Sequence, residues 1–92
     1  MQNKSRFFKA LSSEPRLKIV KHLLKTDDYK CYCELDDLIE KDMSVIYRHF
    51  RTLQESGILE TRKRGKRLEG RVKNPEKTEK ILKIVEEINN ED

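Results

Sequence analysis

Apolar residues recur at helical spacing in five stretches of this chain, and in a sixth the period shortens to that of strands. Phe7, Phe8 and Leu11 share one stripe of a short first helix. In SSEPRLKIVKHLLK, Ser13 is placed to cap a second helix whose first turn tolerates Pro15. Leu17, Val20, Leu23 and Leu24 are spaced as its buried face. The polar TDDYK breaks the pattern. CELDDLIEK then places Leu35, Leu38 and Ile39 on a third helical face. In DMSVIYRHFRTLQESGIL, Asp42 stands as an N-cap, and Ile46, Phe50 and Leu53 recur at steps of four and three. Gly57 follows the final turn, where a C′ glycine belongs. Two short extended runs flank KRGKR, a turn built on Gly65, and predict a β-hairpin. In NPEKTEKILKIVEEINNED, Asn74 caps, Pro75 takes the first helical position, and Ile81, Leu82, Val85 and Ile88 form one apolar stripe.

The order predicts a mainly α fold with a small β-hairpin, α-α-α-α-β-β-α, in a single domain over residues 1–92. Its third and fourth helices, joined by a short turn, have the sequence shape of a helix-turn-helix. Ninety-two residues with 35% hydrophobic and 41% charged side chains leave little to bury. A domain of this size buries only about 60% of its unfolded surface, so a dimer is expected. The stripe of the last helix is the natural place for a second subunit. No apolar run approaches the roughly 20 residues of a membrane span, and MQNKSRFFKA lacks the apolar centre of a signal peptide. A cytoplasmic protein with reduced thiols is expected.

Charge sharpens the picture. The net charge is +4, but it is unevenly spread. Residues 41–73 hold ten Lys/Arg against four Asp/Glu, whereas residues 74–92 hold three against six. The basic excess therefore coincides with the second helix of the helix-turn-helix and the hairpin. The outward face of that helix carries Met43, Ser44, Tyr47, Arg48 and Arg51, with His49 to the side. These side chains have the length and hydrogen-bonding groups to reach base edges and phosphates of double-stranded DNA. Lys63, Arg64, Lys66 and Arg67 at the hairpin would add salt-dependent affinity. His49 suits either a DNA contact or the closing of the core, and His22 a structural or exposed role. A phosphate loop and a nucleophile–base pair are both missing from the pattern, so an enzyme is not expected. The alternative to a DNA-binding regulator is a protein-interaction module within a larger assembly.

Cys31 and Cys33, the only cysteines, are separated by one residue. Cysteines so close in sequence are poorly placed to bridge each other. They read as small residues of the core, as metal ligands or as redox-active thiols, in that order.

Three stretches resemble the ArsR family of winged-helix repressors. FKALSSEPRLKIVKHLL is similar to the family's opening helices. CYCELDDLIEKDMSVIYRHFRTLQESGIL is similar, without a gap, to its cysteine-bearing sensor helix and recognition helix, and ETRKRGKRLEGRV to its wing. The resemblance implies a homodimeric repressor of transcription, joined through helices at residues 1–12 and 74–92, that releases operator DNA on binding a metal. It places Ser44, Tyr47, Arg48 and His49 on the DNA-facing positions. Cys31 and Cys33 match the first two positions of the family's C-x-C-x-x-C sensor, and Asp36 stands at the third. The implied metal site is therefore Cys31, Cys33 and Asp36, with Zn²⁺ or another thiophilic ion as effector. Tyr47 replaces a usual Ser, Glu40 a frequent Gly at the turn, and LEGRV a more aromatic run, from which a short second strand is expected.

Overall fold

The computed structural model describes residues 2–39 and 42–90, with side chains described over 5–39 and 42–88. The order is α1 (Gln2–Ala10), α2 (Glu14–Leu23), β1 (Lys30–Cys31), a 3₁₀ turn (Tyr32–Leu35), α3 (Met43–Glu55), β2 (Leu59–Arg64), β3 (Arg67–Val72) and α4 (Pro75–Asn90). The three strands form one antiparallel sheet in the order β1-β3-β2. Four helices and the hairpin match the expected class. The expected third helix is reduced to the 3₁₀ turn and a following loose turn, in which Leu38 and Ile39 both donate to the Leu35 carbonyl. A short helix is costly to nucleate, and this one carries Asp36 and Asp37 in mid-segment, where Asp favours turns.

Local signals explain the termini. The Ser13 hydroxyl accepts from the Arg16 N–H at 3.5 Å and Pro15 lies in the first turn of α2. Asp42 occupies the N-cap of α3 in an extended conformation but its side chain makes no capping bond. Gly57, with φ of 86°, closes α3. At the hairpin tip Gly65 has φ of 63° and Lys66 does not share the positive φ, the pattern of a type II′ turn whose twist suits two antiparallel strands. The turn Glu40, replacing the family's Gly, lies outside the described residues.

The core is built from α2, α3 and the sheet. Ile19, Val20, Leu23, Leu35, Ile46, Phe50 and Leu53 are fully buried, joined by Ile58, Leu59, Leu68 and Val72. Periodicity had named Leu17 and Leu24 for α2, which are only half-buried, and had omitted Ile19. The sheet approaches α3 closely at Gly70: a Cβ there would lie 3.0 Å from the Phe50 ring. A side chain at that position would require the ring or the strand to give by a few tenths of an ångström, so glycine suits the close approach.

The second strand of the hairpin is not short. It pairs with β2 over six residues, from Leu59↔Val72 to Arg64↔Arg67. Two cross-strand ion pairs hold the strands together without the aromatic run that LEGRV replaces. Arg62 Nε donates to Glu69 Oε1 at 2.8 Å and Arg71 Nε to Glu60 Oε2 at 2.7 Å. Each joins direct register partners, which is where cross-strand pairs interact best. Of the described helices, none is long and apolar enough to cross a membrane.

Candidate nucleic-acid interface and cysteine pair

The amphipathic pattern of α3 buries Ile46, Phe50 and Leu53 and so turns Ser44, Arg48 and Arg51 to solvent. The three lie on one outward stripe, with Ser44 and Arg48 in the N-terminal half of the helix, the half that enters a major groove in helix-turn-helix proteins. Met43 and Tyr47 are half-buried and pack against the core. The rings of Tyr47 and Tyr32 meet in a T-shaped arrangement at 5.3 Å between centroids, and Tyr32 in turn meets Phe50 at 6.2 Å. His49 faces α2: its Nδ1 lies 3.2 Å from the Arg16 guanidinium. The same guanidinium donates to the carbonyls of Ala10, at 2.6 Å, and Lys9, at 3.3 Å. Arg16 therefore ties the end of α1 to α3, and His49 serves that junction. His22 is half-buried in the last turn of α2.

At the hairpin, Lys63, Arg64, Lys66 and Arg67 are all exposed. The tip is held from below. Glu69 is buried among Arg62, Arg64 and Arg67, and the hydrogen bond from Arg62 holds its carboxyl below the usual carboxylate range, against the opposing effect of its burial. Glu60 raises the Arg71 guanidinium further above its usual value. Tyr29 lies between two guanidinium groups, Arg62 at 4.2 Å and Arg71 at 4.4 Å from its ring centroid. Arg71 also reaches the Asp27 carbonyl at 3.4 Å. Tyr29, Arg62 and Arg71 had not been singled out from the sequence. Adjacent cationic and aromatic residues were the one available signal, and it does not say which ring meets which cation.

The cysteines are bridged. Cys31 and Cys33 form a disulfide, with Cα atoms 5.1 Å apart. The expectations that they are poorly placed to bridge and that the thiols are reduced are corrected. Cys31 ends β1 in an extended conformation, and the 3₁₀ turn begins at the next residue. That bend draws the two Cα atoms into the range of about 4.4–6.8 Å that a disulfide needs. Cys31 is buried and Cys33 exposed. The Cys31 N–H donates to Glu34 Oε2 at 3.0 Å, and the same carboxylate oxygen lies 3.7 Å from Arg67. Asp36 is exposed at the end of the 3₁₀ turn. Among the described residues no three His, Cys, Asp or Glu side chains gather into a metal-holding group. The two sulfurs fit a thiophilic ion in chemistry, once reduced, but they are only half of a four-ligand site.

The apolar stripe of the last helix is left open. Leu82 is buried, but Ile84, Val85 and Ile88 are exposed, as is Phe8 on α1.

Comparison with known proteins agrees with this geometry. The model of the bacterial regulatory proteins of the arsR family matches residues 13–61. The cadmium resistance transcriptional regulatory protein CadC of Listeria innocua is 37% identical over 82 residues, which are 89% of this chain and 65% of that protein. The chain thus spans just under two thirds of the length of this relative. Among solved structures, the homodimeric winged helix-turn-helix DNA-binding domain of Mb0332 from Mycobacterium bovis superposes with a TM-score of 0.78 at 20% identity, over 98% of this chain and 81% of that one. The transcriptional repressor BigR of Xylella fastidiosa gives 0.73 at 25% identity, over 95% and 86%.

Proposed function

The chain belongs to the arsR family of bacterial regulatory proteins, and on that premise we propose that it is a homodimeric repressor that binds double-stranded DNA with sequence specificity. The observation that carries the reading is the coincidence of two exposed cationic surfaces. Ser44, Arg48 and Arg51 project from α3, and Lys63, Arg64, Lys66 and Arg67 crown the hairpin. In this reading α3 reads base edges in the major groove and the hairpin lies along the backbone or minor groove. Met43 and Tyr47 set the fit of the helix in the groove, and His49 holds its tilt through Arg16. Concentrated cationic charge on these surfaces argues against a role as a protein-interaction module. The work is done in the cytoplasm, where bacterial DNA lies.

The effector in this reading is a thiophilic metal ion. Reduced Cys31 and Cys33 would supply two thiolates to Cd²⁺ or Zn²⁺. Asp36, or a group from the second subunit, would supply the rest. The ion's chemistry would be to draw these ligands together; the similarity to a cadmium-resistance regulator supports the choice of metal.

Fluorescence anisotropy with the chain's own promoter DNA and with random DNA tests the reading. Arg48→Ala should weaken promoter binding by about 1–3 kcal/mol and relax specificity, while Lys66→Ala should weaken all DNA alike and reduce the salt slope by about 1. Equal affinity of the unaltered protein for both DNAs would defeat the proposal.

A further inference from the structure

Tyr32 is the single residue between the two cysteines, and it occupies an unusual position. Its backbone carries the bend from β1 into the 3₁₀ turn. Its ring stands edge-on to Tyr47 at 5.3 Å and to Phe50 at 6.2 Å. Tyr47 is on the recognition helix, three residues after Ser44, next to Arg48 and four before Arg51. Phe50 is fully buried, with the backbone of Gly70 packed over its ring. Of the two rings that meet Tyr32, the half-buried Tyr47 has more room to move than the buried Phe50.

We propose that Tyr32 is a positioning residue that reports the state of the cysteine pair to the recognition helix through Tyr47. This rests on the regulatory reading above and names how its signal travels. A bond between Sγ of Cys31 and Sγ of Cys33 closes a small ring that contains the whole Tyr32 backbone. Opening that ring, or replacing the bond by a shared ligand, changes the φ and ψ available to Tyr32, and its side chain turns with them. The chemistry of closure balances with a low-molecular-weight disulfide as oxidant. The exposed Cys33 thiolate attacks it and releases one thiol. The Cys31 thiolate then displaces the second, so that two cysteine thiols are oxidised and one disulfide is reduced to two thiols. Aromatic residues at both ends make the link; a Ser at position 47 could not receive it.

The test uses the full chain in two forms. A phosphine reductant gives the dithiol, and oxidised glutathione gives the disulfide, verified by the loss of two hydrogens in the intact mass. Nuclear magnetic resonance of ring-labelled tyrosine follows Tyr47, and anisotropy follows promoter affinity in each form. The Tyr47 ring signals should differ between the forms in the unaltered chain and in Tyr32→Phe, which keeps the ring. They should coincide in Tyr32→Leu, with disulfide formation retained. Promoter affinity should differ between forms by about 5–150-fold, the usual span of a coupling, and Tyr32→Leu should bring that ratio close to one. Tyr47 signals that coincide in the two forms of the unaltered chain overturn the proposal, as does failure of the disulfide to form. So does a Tyr32→Leu variant that keeps the shift; if that variant does not fold, the unaltered chain and Tyr32→Phe still decide. An affinity change with Tyr47 unmoved removes the relay and leaves the regulatory reading. A moving Tyr47 with unchanged affinity keeps the relay and removes the disulfide as a switch of DNA binding.

Discussion

Helices α3 and α4 carry the same kind of apolar stripe and meet different fates. Ile46, Phe50 and Leu53 of α3 are completely buried, on a helix packed against α1, α2, the 3₁₀ turn and β2. Ile84 and Ile88 of α4 are 56% and 61% exposed, although Leu82 of the same helix is buried. A periodic stripe states that a face must be covered; it does not state by which chain. One side of α3 is satisfied within the domain, so its other side is free to carry cations outward. The stripe of α4 is satisfied only in part, and Phe8 of α1 adds to the open apolar surface. The contrast separates residues that hold the monomer together from those that we assign to assembly.

The contrast can be broken from its strongest side first. Phe50→Ala should destabilise the fold by about 3–5 kcal/mol, as expected for truncating a fully buried aromatic ring. Urea unfolding followed by circular dichroism measures it. Changing Ile84 and Ile88 together to Glu should leave the unfolding midpoint of the isolated domain nearly unchanged while raising the dissociation constant of the dimer by about 100-fold or more, given about 1.5–3 kcal/mol for each buried aliphatic side chain. Sedimentation velocity across a concentration series reads the change. A loss of fold in that variant would place the α4 stripe in the monomer core instead. Gly70→Ala should cost about 1–3 kcal/mol by overpacking against Phe50, again read by urea unfolding.

The smallest effect concerns the base of the hairpin. Because Arg62 lowers the folded-state pKa of Glu69 below its ordinary value of 4.5, ionised Glu69 stabilises the fold above that pH. The contribution should fade as pH falls below 4.5 and through the lowered value. Glu69→Gln should therefore reduce stability modestly at neutral pH and flatten the loss on acidification, measured as the urea midpoint between neutral and acid pH.

Long elements were legible in the sequence because burial imposes a period on them. Ser13, Gly57, Gly65 and Pro75 marked ends and turns by their local backbone chemistry. The outward stripe of α3 followed from its inward one. What escaped was short or depended on contacts distant in sequence. β1 has two residues, too few to show a period. The disulfide depended on a bend at Tyr32 that no pattern announces. The clamp of Arg62 and Arg71 on Tyr29 joins residues more than thirty positions apart. Met43 and Tyr47 were expected on the outward face, but they flank the Ile46, Phe50 and Leu53 face and pack half-buried against the core.

One guanidinium has a reach larger than its size. Arg16 grips the carbonyl end of α1 with two donors and lies against His49 of α3 with a third nitrogen. A lysine gathers its three donors on one nitrogen and lacks the rigid planar fork that spans these partners. In the dimer proposed here, α1 belongs to the seam between copies and α3 to the DNA. The angle fixed at Arg16 then sets how far apart the two reading helices stand, and with it the number of base pairs between operator half-sites, which must follow the helical repeat of about 10–10.5 base pairs.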